Sequence, residues 1–207
     1  VTDAAAAAWL EVLGALMADA AHAANNVLNS AAVNLSVVTT RLGSPQVADS
    51  SGEALAGRTA EFAVHAADGL DSASELVQSI VALARPLPAA PDPTRMVTDI
   101  MRVAVAGCRH AVAELVVDLH DPIVASDQSA VVRLAIATGV RTLLREGQGG
   151  TVRWIGSDVA LARPAGRAAQ VEPIVPAHVM RIMADAGFAV RPDVEVVTFS
   201  ILEQRQH

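Results

Sequence analysis

One histidine and a group of side-chain amides fall at helical spacing in the stretch Ala20-Ala21-His22-Ala23-Ala24-Asn25-Asn26-Val27-Leu28. A neutral imidazole is a competent nucleophile near neutral pH, because its unperturbed pKa is about 6.5. Asn26 follows His22 by four residues, so on a helix the two share a face. The Asn26 amide could hydrogen-bond a group beside the imidazole or hold a water. Asn25 and Asn29 lie close by, and Ala20, Ala23 and Ala24 leave room for a partner helix to approach. The plain alternatives are a surface histidine and an asparagine pair that bonds between helices. Asp19, Glu53 and Glu61 read most simply as a solvated acidic face.

Elsewhere the chemistry is thinner. Asp118, His120 and Asp121 could ligate a metal, but no second cluster completes the set, and no metal is expected. Arg109 and His110 beside Cys108 look like a helix end. His65 and His178 have no evident companion. No Gly-x-Ser-x-Gly, Walker loop or Cys-x-x-Cys occurs.

The element that must carry His22 is long. Trp9, Leu13, Leu16, Ala20, Ala24, Val27, Ala31, Leu35, Val38 and Leu42 recur at three- and four-residue steps, which predicts one helix over 4–42. Gly43-Ser44-Pro45 stops it. A second helix is predicted over 47–85 on the seam Leu55, Thr59, Phe62, Ala66, Leu70, Ala73, Val77, Ile80 and Ala84, with Gly69 weakening its middle by about 1 kcal/mol. The short turn predicts an antiparallel hairpin. Two helices alone leave apolar stripes uncovered, so a homodimer forming a four-helix bundle is expected.

Pro86–Pro93 has the composition of a semi-rigid linker and divides the chain into 1–87 and 94–207. Beyond it a helix is predicted over 94–113, then strands at Glu114–Leu119 and Ile123–Ala125. Asp127 or Ser129 should cap a helix that runs to Arg145. Strands follow at Thr151–Ile155 and Val159–Ala162, a helix at Pro176–Ala186, and strands near Phe188–Val190 and Val194–Leu202. The fold class expected is α+β, the second half being a small α/β sandwich with helices on one face of a mixed sheet. No internal repeat is seen.

Composition narrows the function. The net charge of −7 argues against a general nucleic-acid binder, which needs a cationic face. The single cysteine fits a reducing compartment. The apolar run from Ala4 to Ala18 contains Glu11, is followed by Asp19 and has no basic lead, so neither a membrane span nor a signal peptide is expected. The protein is read as soluble and cytoplasmic.

At this point the chain resembles the core of a two-component sensor histidine kinase. Such a core is a dimerising helical hairpin with an acceptor His, followed by a small α/β ATP-binding domain. The family's acceptor motif runs His, acid, any, polar, Asn or Thr, often Pro, Leu. Here it reads His22, Ala23, Ala24, Asn25, Asn26, Val27, Leu28. The departures are specific: Ala23 replaces the acid, and Ala137 and Arg141 stand where the family carries magnesium-binding asparagines. The glycine-rich phosphate loops are absent, and Gly147–Gly150 joins a helix end to a strand. The second half thus resembles a degenerate ATPase domain, which implies no ATP binding and no autokinase activity.

A hairpin with an acceptor His joined to such a domain is similar to the histidine phosphotransferases of phosphorelays. The resemblance implies phosphoryl transfer to or from a response-regulator receiver, with His22 as acceptor and Asn26 as support. Ala23, Asn25, Asn29 and Asp19 would contact the receiver. No cofactor of its own is implied, since the receiver brings Mg2+. The alternative is a non-catalytic pseudokinase scaffold that binds a receiver or kinase without phosphotransfer.

Overall fold

The computed structural model describes residues 3–42, 52–88, 91–108, 115–124, 128–146, 149–164, 173–193 and 195–201. The chain is α+β, with long N-terminal helices followed by a five-stranded mixed sheet and its helices. In chain order the elements are α1 (Asp3–Leu42), α2 (Gly52–Ala84), α3 (Pro93–Ala106), β1 (Leu115–His120), α4 (Ser129–Arg145), β2 (Gly150–Ile155), β3 (Asp158–Ala162), α5 (Ala177–Asp185), β4 (Phe188–Pro192) and β5 (Val196–Ile201).

Helix α1 has 40 residues and contains no proline, so it extends on the order of 60 Å. Its contacts with α2 run antiparallel. Arg41 lies 4.9 Å over the Phe62 ring, and Val27 and Ala31 meet Gly69. A Cβ on Gly69 would come within 3.4 Å of the Ala31 Cβ. That is an ordinary van der Waals contact, so the glycine that weakens α2 as an isolated helix is not required for α1 to pack there. At the far end, Arg133 of α4 stacks 4.0 Å over the Trp9 ring and donates to the Leu83 and Arg85 carbonyls at the end of α2. A cation bonded to terminal carbonyls complements the negative end of the helix dipole.

Helix α3 starts at a proline and is capped by Asp92, whose carboxylate accepts from the Thr94 and Arg95 amides at 2.9 and 3.2 Å. Helix α4 is buried from Ser129 through Val140 because it packs on β2 and β3 and also against α1, α3 and α5.

The sheet order is β1-β2-β3-β5-β4. Strand β1 pairs parallel with β2, while β2–β3, β3–β5 and β5–β4 are antiparallel. Val152 and Trp154, Val159 and Leu161, and Val197 and Phe199 alternate along their strands into the core, as period-two patterning requires. One hydrophobic cluster joins Ala5, Ala8, Trp9, Leu13, Leu16 and Ala20 of α1 to α3, α4 and the sheet. The core thus continues past Pro86–Pro93 without a break.

Several local expectations change. Ile123 and Val124 are in no strand, and Ala125 lies outside the described residues. The chain turns at Asp121 (φ 44°), and the Ile123 amide goes to the Gly156 carbonyl at 2.7 Å, not to a strand partner. Helix α3 ends at Ala106, where Gly107 meets α1, and residues 109–113 of the expected span lie outside the described residues. Gln128 is the N-cap of α4, without a side-chain cap bond; Ser129 is its first helical residue, and Asp127 lies outside the described residues. Among the described helices, α1 alone is long and apolar enough to cross a membrane by length and composition, and 33% of its most apolar 18-residue window is buried within the chain.

Candidate functional site

Helix α1 changes character at Ala20. That residue is fully buried, and the next buried residue of the helix is Ala31. His22 falls just past this change and is exposed. Beneath it lies a hollow of about 430 Å3, lined on one side by Asp19, His22, Ala23, Asn26 and Val27 of α1. The other side is Ala106, Gly107 and Cys108, at the end of α3.

Gly107 sets this approach. A Cβ there would lie 2.5 Å from the Asp19 Cβ and 3.1 Å from its carbonyl carbon, closer than any side chain permits. Only glycine lets the end of α3 lie flat against the α1 backbone one turn before His22. Its amide closes α3 on the Val103 carbonyl at 3.2 Å, and the next amide, of Cys108, bonds Val105 at 3.0 Å. The Cys108 thiol points to the Leu144 carbonyl of α4 at 3.6 Å.

A second hollow, of about 350 Å3, adjoins the first. Asp19, Gly107 and Cys108 line both, and Leu16, Ala104, Arg141, Leu144 and Arg145 complete the second. Arg141 Nε lies 3.7 Å from Asp19 Oδ2, an ion pair across the wall between the hollows. The groove so formed runs from an imidazole and an amide, past one carboxylate, to two guanidinium groups. Such a groove can present a nucleophile to an anionic group and place positive charge near it.

The structure brings four of the sequence-predicted residues into this groove: His22, Asn26, Ala23 and Asp19. Asn25 and Asn29 are exposed on α1 outside its lining. Sequence reasoning missed Gly107 and Arg145, took Cys108 only as part of a helix end, and took Arg141 only as a lost asparagine. Arg109 and His110 lie outside the described residues. The available signal was the four-residue spacing of Arg141 and Arg145, which puts two cations on one face near the end of α4.

The acidic cluster on β1 is differently used. Asp118 accepts from Arg153 Nε at 2.9 Å and pairs with His120 Nε2 at 2.8 Å. Both carboxylate oxygens are engaged, while Asp121 sits at the turn. Among the described residues no three His, Cys, Asp or Glu side chains gather to hold a metal ion.

No family model matches the chain, and no curated protein matches it. Among solved structures, one described as a bacterial phosphotransferase is similar over 91% of this chain and 94% of that one, at 14% identity and a TM-score of 0.40. A likeness of that size carries no statement about activity.

Proposed function

We propose that the chain is a histidine phosphotransferase-like protein of two-component signalling, which exchanges phosphoryl groups with response-regulator receivers through His22. The observation that carries this reading is the groove: an exposed His22 with Asn26 one turn away, flanked by Asp19 and by two arginines from α4. In this reading His22 attacks the receiver's aspartyl phosphate with a ring-nitrogen lone pair. The P–N bond forms, the P–O bond to the aspartyl oxygen breaks, and the receiver recovers a carboxylate. The proton on the other ring nitrogen passes to solvent. The transition state is loose, so positioning and charge neutralisation supply most of the rate. The receiver supplies Mg2+, and Asn26 supports the transferred group.

α1 and α2 act as the helical hairpin of a homodimer in this reading. Exposed Leu28, Val33, Leu35, Leu70, Val77 and Val81 support a second copy covering them as a four-helix bundle. The half built on α4 and the sheet is a degenerate ATPase-like domain that binds no ATP, and the protein is cytoplasmic. Asn25 and Asn29 meet the receiver from the exposed side of α1.

The test is a transfer assay with phosphorylated receivers, using the wild-type protein and His22→Ala. Acid-labile, alkali-stable label on wild type alone is the expected result. Binding of a receiver with no label and no loss of its phosphate would leave the scaffold reading in its place.

A further inference from the structure

The second hollow contains a cation that is incompletely used. Arg141 Nε is buried and has no hydrogen-bond partner among the described residues. Its ion pair to Asp19, at 3.7 Å, is too long for a hydrogen bond. Both side chains are partly open to solvent, 31% for Arg141 and 47% for Asp19, so the pair is weak. Asp19 precedes His22 by three residues on α1, so their Cβ atoms are about 5–6 Å apart. Asp19 also lines both hollows. Arg145 lies one turn beyond Arg141 and lines the same hollow.

Taking His22 as the phosphoryl acceptor, we propose that Arg141, supported by Arg145, is the counter-cation for the phosphoryl group on His22. Asp19 holds Arg141 in place while the histidine is free. A dianionic phosphoryl group attracts a guanidinium more strongly than a half-exposed carboxylate does, and it offers the planar fork two acceptors. Once His22 is phosphorylated, Arg141 leaves Asp19 for the phosphoryl oxygens, and its buried Nε–H gains an acceptor. The pair is therefore a replaceable contact one helical turn from the nucleophile. Its exchange ties α4 to α1 more strongly in the phosphorylated protein.

The test avoids the receiver. Potassium phosphoramidate phosphorylates exposed histidines directly, transferring its phosphoryl group to the ring nitrogen as ammonia leaves. The His22 phosphorus resonance is identified by its loss in His22→Ala, and its shift is followed against pH. Besides His22, the titratable groups lining the two hollows are Asp19, Cys108, Arg141 and Arg145. A nearby cation lowers the pKa at which the phosphoryl group loses its last proton to become the dianion.

The expected result is a lower phosphoryl pKa in wild type than in Arg141→Gln, by about half a unit or more, with Arg141→Lys in between. Asp19→Asn, which removes the competing carboxylate, is expected to lower it further. Coincident titrations of wild type, Arg141→Gln and Asp19→Asn would overturn the proposal, even if melting temperatures differ, since a purely structural pair changes stability and not this titration. Failure of His22 to react while other exposed histidines do would overturn it as well. If receivers fail to label wild type but these titrations separate as expected, the transfer reading falls while the counter-cation stands.

Discussion

The two halves of α1 are built from similar residues and put to different uses. From Asp3 to Ala20 the buried stripe of Ala5, Ala8, Trp9, Leu13, Leu16 and Ala20 is part of the same core as α4 and the sheet. From Ala21 onward Ala31 alone is buried, the contacts are with α2, and Leu28, Val33 and Leu35 face outward. Apolar periodicity therefore marks a packed face in both halves, but the first half is buried in the main core while the second packs on α2 alone and leaves Leu28, Val33 and Leu35 uncovered. His22 stands at the change, where a rigidly held helix emerges from its cover. In the proposed reading that position serves the acceptor: the backbone beneath it is packed and its side chain is open to solvent.

The sharpest way to break this contrast is Leu16→Ala. Leu16 is 1% exposed, and its truncation is expected to cost about 2–5 kcal/mol in urea unfolding. A loss under 1 kcal/mol would mean that the first half of α1 is not core. Gly107→Ala tests the contact that places α3 beside His22. With Asp19 backbone and Cβ in the way, a loss of about 1–3 kcal/mol in urea unfolding is expected.

Arg133 pins the first half of α1 through Trp9, and burial pushes its guanidinium down to about 10, below the usual arginine range. Arg133→Met should lose about 1–2 kcal/mol of stacking and carbonyl bonding at pH 7. Because the folded pKa lies below the unfolded one, the unfolded chain binds more protons above about pH 10. Wild type should therefore gain stability relative to Arg133→Met as pH rises above about 10, and the difference should be flat below it. The parallel measurement is chemical unfolding of both proteins across pH 7–11.

Leu35→Ser carries the smallest expected effect on the fold, within about 0.5 kcal/mol, because the residue is 43% exposed. The same change should weaken self-association in sedimentation equilibrium if a second copy covers this face. An unchanged association constant would count against the four-helix bundle.

Much of the fold was legible because period carries burial. The seam through Trp9, Leu13, Leu16 and Ala20 marks a packed helix face, and the alternation around Val152 and Trp154 marks a strand. Ile123–Ala125 misled because a short apolar run carries no period, and Ile123 satisfies its amide on the Gly156 carbonyl. The deep burial of α4 from Val131 to Val140 was hidden by Arg133 and Thr138. The Trp9 ring and the Leu83 and Arg85 carbonyls engage Arg133, although its Nε has no hydrogen-bond partner among the described residues, and Thr138 donates to the helix's own Leu134 carbonyl.

The site divides in the same way. His22, Asn26, Ala23 and Asp19 are neighbours on one helix, so local spacing finds them. Gly107, Cys108, Arg141 and Arg145 arrive from α3 and α4 through tertiary packing, and no local pattern announces that they meet α1. Gly107 in particular reads only as a helix end until the Asp19 backbone is seen against it.

Strand β1 sits at one end of the sheet order, and its only strand neighbour among the described residues is β2. That pairing is parallel and is reached through the whole of α4. Closing it requires a large loop, so β1 should join the sheet after the β2–β3 and β4–β5 hairpins have formed. Val116 and Val117 are 51% and 40% exposed, so little apolar burial holds the strand once it is there. Its amides should accordingly lose protection in hydrogen exchange before those of β3 and β5. The sheet should open from the β1 end, leaving α4 and the α1 stripe intact beneath it.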